Sequence, residues 1–222
     1  MLDGRWRAKA EQSLEPVGAA LHRLGVSADA LTLFGLAAAV GTALLIANGN
    51  LVLAVVGLVL SGLPDVLDGS VARQSGTAGE RGAFFDSVCD RVADAVILGG
   101  VAWHVADEDA RLPILVLAVV ALTMLVSYER AKAESLGLDA RGGLMERLER
   151  MVLLGAGLAF DVLVPVLWVM LALTAVTAVH RFVMVWRQAT PEPRGRPSPR
   201  RRALRSHRAR RPRRLSRVPG RR

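Results

Sequence analysis

Asp65-Val-Leu-Asp68-Gly69-Ser-Val-Ala72-Arg73, then eight residues, then Gly82-Ala-Phe-Phe-Asp86-Ser-Val-Cys-Asp90, sets four carboxylates beside two apolar stretches. On helices, Asp65 and Asp68 share a face through their three-residue spacing, and Gly82, Asp86 and Asp90 share another through spacings of four. Two adjacent helices then present four like charges to each other at the edge of hydrocarbon, where uncompensated charge is costly. Divalent cations resolve the repulsion, and a carboxylate-only set favours hard ions such as Mg²⁺ or Mn²⁺. Two such ions flanked by acids suit in-line phosphoryl displacement. The competing reading makes the acids helix caps or ion-pair partners of Arg73, Arg81 and Arg91. One or two could be; four in a bipartite pattern fit a metal site better. Gly69 and Ala72 leave room for a bulky ligand, and Arg73 offers charge to a phosphate.

Working outward, apolar segments lie near Leu31–Asn48, Leu51–Leu63, Ala83–Ala106, Leu112–Tyr128, Met151–Phe160 and Val162–Val179. A span needs about 20 apolar residues, so the second and fifth are short unless they run on into the polar sequence beside them. The expectation is an all-α integral membrane protein of six transmembrane helices. Ser27 or Asp29 would cap the first, and Gly25 would end an amphipathic interfacial helix before it. That helix carries Leu14, Val17, Leu21 and Leu24 on one face. Lys and Arg alternate cleanly between loops. They are present before helix 1, after helix 2, after helix 4 and after helix 6, and absent or single (Arg111) elsewhere. The positive-inside rule puts both termini and the second and fourth loops in the cytoplasm, which requires an even number of helices. A multi-pass cell (plasma) membrane protein with a cytoplasmic active site follows.

The net charge of +9 would suit nucleic-acid binding if it were spread over the chain. It is not. Residues 188–222 hold 14 of the 29 basic residues and one acid, which leaves 15 basic against 19 acidic side chains in the first 187. The basicity belongs to a tail rich in Arg, Pro and Ser, expected to be disordered and either a contact for anionic lipid or a reinforcement of topology. No nucleic-acid partner is expected. The organisation is thus 1–26 juxtamembrane amphipathic segment, 27–187 six-helix domain and 188–222 tail. Cys89 is the one cysteine, so no intramolecular disulfide forms, and no cleavable leader precedes the first apolar run.

The two quoted stretches resemble the complete signature of the CDP-alcohol phosphotransferase (phosphatidyltransferase) family. The resemblance implies a six-helix membrane enzyme, commonly a homodimer, that binds CDP-diacylglycerol and two divalent ions, Mg²⁺ or Mn²⁺, per site. It implies that Asp65, Asp68, Asp86 and Asp90 hold metal and that Asp90 is also the general base. Asp29, Thr32, Asp68, Gly69, Ala72, Arg73, Gly79 and Gly82 match the CDP-diacylglycerol-binding positions. One departure lies before Gly82, where the family carries Thr followed by Arg; Gly79 and Glu80 stand there, with Thr77 two residues earlier.

The acceptor is read from the fourth loop: Ser127-Tyr128-Glu129-Arg130-Ala131-Lys132-Ala133-Glu134, then Gly142-Gly-Leu-Met-Glu146-Arg147-Leu148-Glu149-Arg150. Its cations suit a phosphorylated acceptor. They also read as a topology signal paired to Glu129, Glu134, Glu146 and Glu149, with Lys132 or Arg150 joined to Glu134 or Glu146. The loop resembles that of the actinobacterial phosphatidylinositol phosphate synthase subfamily, with the two basic positions swapped and Leu148 in place of proline. That resemblance implies 1D-myo-inositol 3-phosphate as acceptor and Arg130, Lys132, Arg147, Arg150 and Arg181 around its phosphate. The alternatives are the same chemistry with glycerol 3-phosphate or another alcohol, and, from another class, a non-catalytic membrane protein whose tail binds anionic lipid or nucleic acid. Cys89 reads as packing, His104 and His180 as interfacial, and Trp103 and Trp168 as belt or packing residues. Asp94 continues the Asp86–Asp90 stripe and should be paired inside the bundle or line a polar cavity.

Overall fold

The computed structural model describes residues 25–75, 79–140 and 142–190 and, for 65–75, the backbone alone. Among them are six helices and no strand: α1 (Ala28–Ala47), α2 (Leu51–Ser75), α3 (Glu80–Ala106), α4 (Leu112–Ser135), α5 (Arg147–Ala159) and α6 (Leu163–Ala189). The amphipathic helix expected within 1–26 and the tail fall outside the described residues but for 25, 26 and 188–190. Among the described residues, α1, α4 and α6 are long and apolar enough to cross a membrane.

The helices begin and end for local reasons. Ser27 is the cap of α1, its Oγ accepting from the Ala30 N–H at 3.1 Å, a bond that satisfies one of the orphan donors of the first turn. The α1–α2 turn passes through Asn48, whose Nδ2 donates to Leu44 O at 2.7 Å, and Gly49 at φ 73°. As expected, α2 does not stop at the aspartates. It passes through Pro64, which cannot donate to the helix ladder, and continues to Ser75, so Asp65 and Asp68 lie on helical backbone.

The fifth segment departs from expectation. Its helix has 13 residues, about 20 Å long at 1.5 Å per residue, against a hydrocarbon thickness of about 30 Å. It reaches back into polar sequence only as far as Arg147. Ahead of it the chain is held in a non-helical path, with Gly142 and Gly143 at φ 93° and 154° and with Ala140 and Met145 buried.

Packing is inverted relative to a water-soluble bundle. The buried face of α1 is Leu31, Thr32, Gly35, Ala39, Thr42, Ala43 and Ile46, while Leu33, Phe34, Val40 and Leu44 point outward. Small residues face partners and large apolar ones face out, which suits a bilayer, where close backbone approach drives association. At Gly100 of α3 an added Cβ would lie 2.5 Å from Ala43 O and 2.7 Å from its Cα, so α1 and α3 touch backbone to backbone. Two hydroxyls bond back onto their own helices: that of the fully buried Thr42, Oγ1 donating to Ala38 O at 2.8 Å, and that of the half-buried Ser127, Oγ donating to Thr123 O at 2.9 Å. The core between them is Ile46, Leu58, Ile97, Val101, Val105, Val116, Val119, Leu158, Leu167 and Met170. Trp103 and Trp168 are exposed rather than packed, 72% and 58% accessible, as belt residues would be.

Candidate active site

Helix α3 carries the site's acids at one-turn intervals. Asp86 and Asp90 face a cleft of about 1010 Å³ bounded by α2, α3, α4, α5 and Arg181 of α6. The same wall includes Arg91, Arg130, Glu134, Glu146, Arg147 and Arg150. The structure therefore brings four of the five expected acceptor-site cations, Arg130, Arg147, Arg150 and Arg181, to the cavity of the α3 carboxylates. Lys132 is exposed and does not line it. Asp86 and Asp90 also share a small crevice with Thr32, Ser61, Pro64 and Arg147. Thr32, an expected nucleotide contact, is thus beside the acids; its Oγ1 donates to Ala28 O at 3.1 Å. Asp29, another, makes an exposed ion pair with Arg81 at 3.5 Å. Gly79 caps α3 in extended backbone, and at Gly82 an added Cβ meets nothing within 4 Å. Asp65, Asp68, Gly69, Ala72 and Arg73 follow Pro64 on α2, outside the residues whose side chains are described.

The arginines differ sharply in what holds them. Arg130 pairs with Glu134 one turn on, at 3.0 Å, both half exposed; such a pair contributes little. Glu134 is thereby the partner of Arg130, not of Lys132. Arg150 is buried and does not take Glu146 either. Its Nη2 donates to Asp94 Oδ2 at 2.7 Å and its Nη1 to Met145 O at 3.5 Å. Arg147, at the start of α5, is paired with Asp90 and lies with its Nε 3.9 Å from Asp94 Oδ1. Arg91 Nη1 lies 3.8 Å from Asp94 Oδ2. Asp94 is paired inside the bundle, as the sequence suggests, but with three arginines.

Arg181 is 3% exposed and engaged on three sides: Nη1 donates to Val126 O at 2.9 Å, Nε to Gly142 O at 3.1 Å and Nη2 to Glu146 Oε1 at 3.2 Å. One turn earlier on α6, Thr177 Oγ1 accepts from the N–H groups of Leu144 and Met145 at 3.2 and 3.1 Å and donates to Leu173 O at 2.8 Å. An added Cβ at Gly143 would lie 2.5 Å from Thr177 Cγ2. Thr177 and Arg181 together fix the loop that delivers Glu146 and Arg147 to the cleft. Thr177 carries a role that the sequence reading overlooked. Its signal is polar spacing: Thr174, Thr177 and Arg181 at three and four residues in an otherwise apolar helix.

The acids fit a divalent cation. Asp86 and Asp90 stand one turn apart on α3 beside Ser61 and Pro64 of α2, and Asp90 already draws a guanidinium cation. Among the described residues no group of three possible ligands stands together; two of the four expected ligands lie outside them.

The chain resembles known proteins in sequence and in fold. The family description CDP-alcohol phosphatidyltransferase matches residues 26–179. The phosphatidylinositol phosphate synthase of Streptomyces avermitilis is 38% identical over 205 residues, 85% of this chain and 84% of that one. That of Mycobacteroides abscessus is 35% identical over 176 residues, 75% and 80% of the two chains. Among solved structures, Mycobacterium tuberculosis phosphatidylinositol phosphate synthase with CDP-DAG bound superposes with a TM-score of 0.73 at 30% identity, covering 82% of this chain and 96% of that one. The same synthase in complex with manganese and citrate gives the same TM-score and identity, over 82% and 91%. The chain belongs to the CDP-alcohol phosphatidyltransferase family.

Proposed function

We propose that the protein is a phosphatidylinositol phosphate synthase, which transfers the phosphatidyl group of CDP-diacylglycerol to 1D-myo-inositol 3-phosphate and releases CMP. The observation that carries this reading is one cleft walled by both Asp86 and Asp90 and by Arg130, Arg147, Arg150 and Arg181. The carboxylates suit a cation-bound pyrophosphate, and the guanidiniums suit an acceptor that brings its own phosphate.

Asp65, Asp68, Asp86 and Asp90 would hold two divalent ions, Mg²⁺ or Mn²⁺, which supply charge neutralisation at the pyrophosphate. Thr32, Asp29, Gly69, Ala72, Arg73, Gly79 and Gly82 would receive the cytidine and phosphates. Asp90 would accept the proton of the attacking inositol hydroxyl at its carboxylate. That oxygen forms its bond to the lipid-bearing phosphorus as the bond to the CMP phosphate breaks, and CMP leaves with the electron pair. Arg130, Arg147 and Arg150 would orient the acceptor for in-line attack, and Arg181 would serve the acceptor side by fixing the loop that carries Glu146 and Arg147. Lys132, off the cleft wall, would act at its rim. Six membrane crossings, with the site and both termini cytoplasmic, and a homodimer complete the proposal. The loop charges support the orientation.

The test is CMP release by purified protein in detergent, offered CDP-diacylglycerol with each acceptor in turn. Turnover with inositol phosphate well above that with glycerol 3-phosphate or free inositol is expected. Preference for glycerol 3-phosphate would reassign the acceptor.

A further inference from the structure

We infer that Asp94 is a positioning residue for acceptor specificity: it holds Arg147 and Arg150 in the geometry that grips the acceptor phosphate. The inference rests on the acceptor reading above and adds a residue outside the aspartate signature.

The argument begins with a conflict. Arg147 and Arg150 stand on one face in the first turn of α5, where the helix dipole is positive and disfavours cations. Arg150 is 6% exposed, and the Arg147 side chain 14%. Two guanidiniums so close, so buried and at that helix end repel each other and the dipole. A third cation, Arg91, stands nearby on α3. The carboxylate within 4 Å of all three is Asp94, at 2.7 Å from Arg150 and 3.8–3.9 Å from Arg91 and Arg147.

The placement of Asp94 distinguishes it from the other acids. Asp86 and Asp90 line the cleft, as do Arg91, Arg147 and Arg150, whereas Asp94 is 8% exposed and is not part of that lining. It therefore holds the arginines without itself presenting a surface to the cleft. The short bond fixes Arg150 through one Nη. Arg147 spans the two carboxylates one turn apart on α3, Nη1 paired with Asp90 and Nε 3.9 Å from Asp94. A bidentate phosphate contact needs the fork of a guanidinium held at a fixed angle, and a carboxylate paired with it supplies that angle. Asp94 also sits two turns from Asp86 and one from Asp90 on the same helix, so it sets the acceptor's phosphate at a fixed distance from the group that takes its proton.

The test is steady-state kinetics on purified Asp94→Asn, varying one substrate at a time. The expected result is a rise of about tenfold or more in KM for inositol phosphate, the size of one charge-assisted bond to phosphate, with KM for CDP-diacylglycerol within about twofold of wild type. Because Asp94→Asn leaves buried cations uncompensated and could fold poorly, Asp94→Asn/Arg150→Gln is made beside it, removing both charges of the short pair. If Asp94 acts through Arg150, the acceptor KM of the double variant matches that of Arg150→Gln alone. Equal changes in both KM values, no change in either, or fully additive effects in the double variant would each overturn the inference. Wild-type turnover is the internal control. If wild type prefers another phosphorylated alcohol, the synthase reading fails while the Asp94 comparison is run with that alcohol. If wild type uses only unphosphorylated alcohols, both fail.

Discussion

Removing the Arg181 side chain should unfold the acceptor side of the site before it alters chemistry. Arg181→Ala strips three hydrogen bonds at 2.9–3.2 Å, removing the guanidinium from the carbonyls of Val126 and Gly142 and from the carboxylate of Glu146. Breaking a buried charged pair from one side costs about 3–5 kcal/mol. Glu146, with 24% of its side chain exposed to the cleft, recovers some solvation, so the lower end, about 3 kcal/mol, is expected. For a chain of this size that is a fall of about 6–12 °C in the melting midpoint. The four tryptophans supply the fluorescence signal in detergent. Arg181→Lys keeps the charge but cannot serve two carbonyls and a carboxylate at once, so it should fall between. The acceptor KM should rise in both, because Gly142 to Glu146 lose their anchor to α6. An Arg181→Ala protein that melts within about 2 °C of wild type yet binds acceptor poorly would refute this. Arg181 would then act on the ligand directly and not on the loop.

Three other changes have defined outcomes. Asp90→Asn should keep the fold and lose turnover, since the amide cannot accept the hydroxyl proton; activity within about tenfold of wild type, a barrier change of roughly 1.4 kcal/mol, would remove Asp90 from the mechanism. Gly100→Leu should prevent stable folding, because its Cβ would meet the Ala43 backbone at 2.5 Å, while Gly99→Ala, with nothing within 4 Å, should be tolerated; monodispersity in detergent separates them. Cys89 is buried, so single introduced cysteines report topology with little background. Glu108→Cys should react with an impermeant maleimide in intact cells and Leu136→Cys only after permeabilisation, the reverse pattern inverting the proposed orientation.

Much of the helical architecture is legible in the sequence because bilayer and backbone leave few choices. Apolar runs such as Leu112–Tyr128 have nothing to become but helices, and Ser27 reads as a cap because it precedes one. The continuation of α2 beyond Pro64 is legible too, since only a helix brings Asp65 and Asp68 to one face. The half-length of α5 is not. Its apolar residues, Met151 to Phe160, look like a truncated span, and what replaces the missing turns is a loop stabilised by contacts 30–40 positions away, on Thr177 and Arg181.

The same limit governs the candidate site. Spacing on one helix is a local property, so the Asp86–Asp90–Asp94 stripe is visible without coordinates. Which cation meets which acid is a matter of tertiary distance. The sequence offers a neighbour to two cations of the fourth loop: Glu134 for Lys132 and Glu146 for Arg150. The structure gives Glu134 to Arg130, Glu146 to Arg181 and Asp94 to Arg150. These exchanges have one cause. Arg150 sits in the buried first turn of α5, and burying its charge demands a carboxylate that is also buried. Exposed Glu134 lies on another helix and cannot serve. Asp94, 8% exposed and one turn below Asp90, meets that demand. Glu146 is left to Arg181, which closes the loop against α6. The positive charge that a sequence reading assigns to topology is thereby divided: Arg130 remains a solvated surface pair, while Arg147, Arg150 and Arg181 become part of the framework of the cleft.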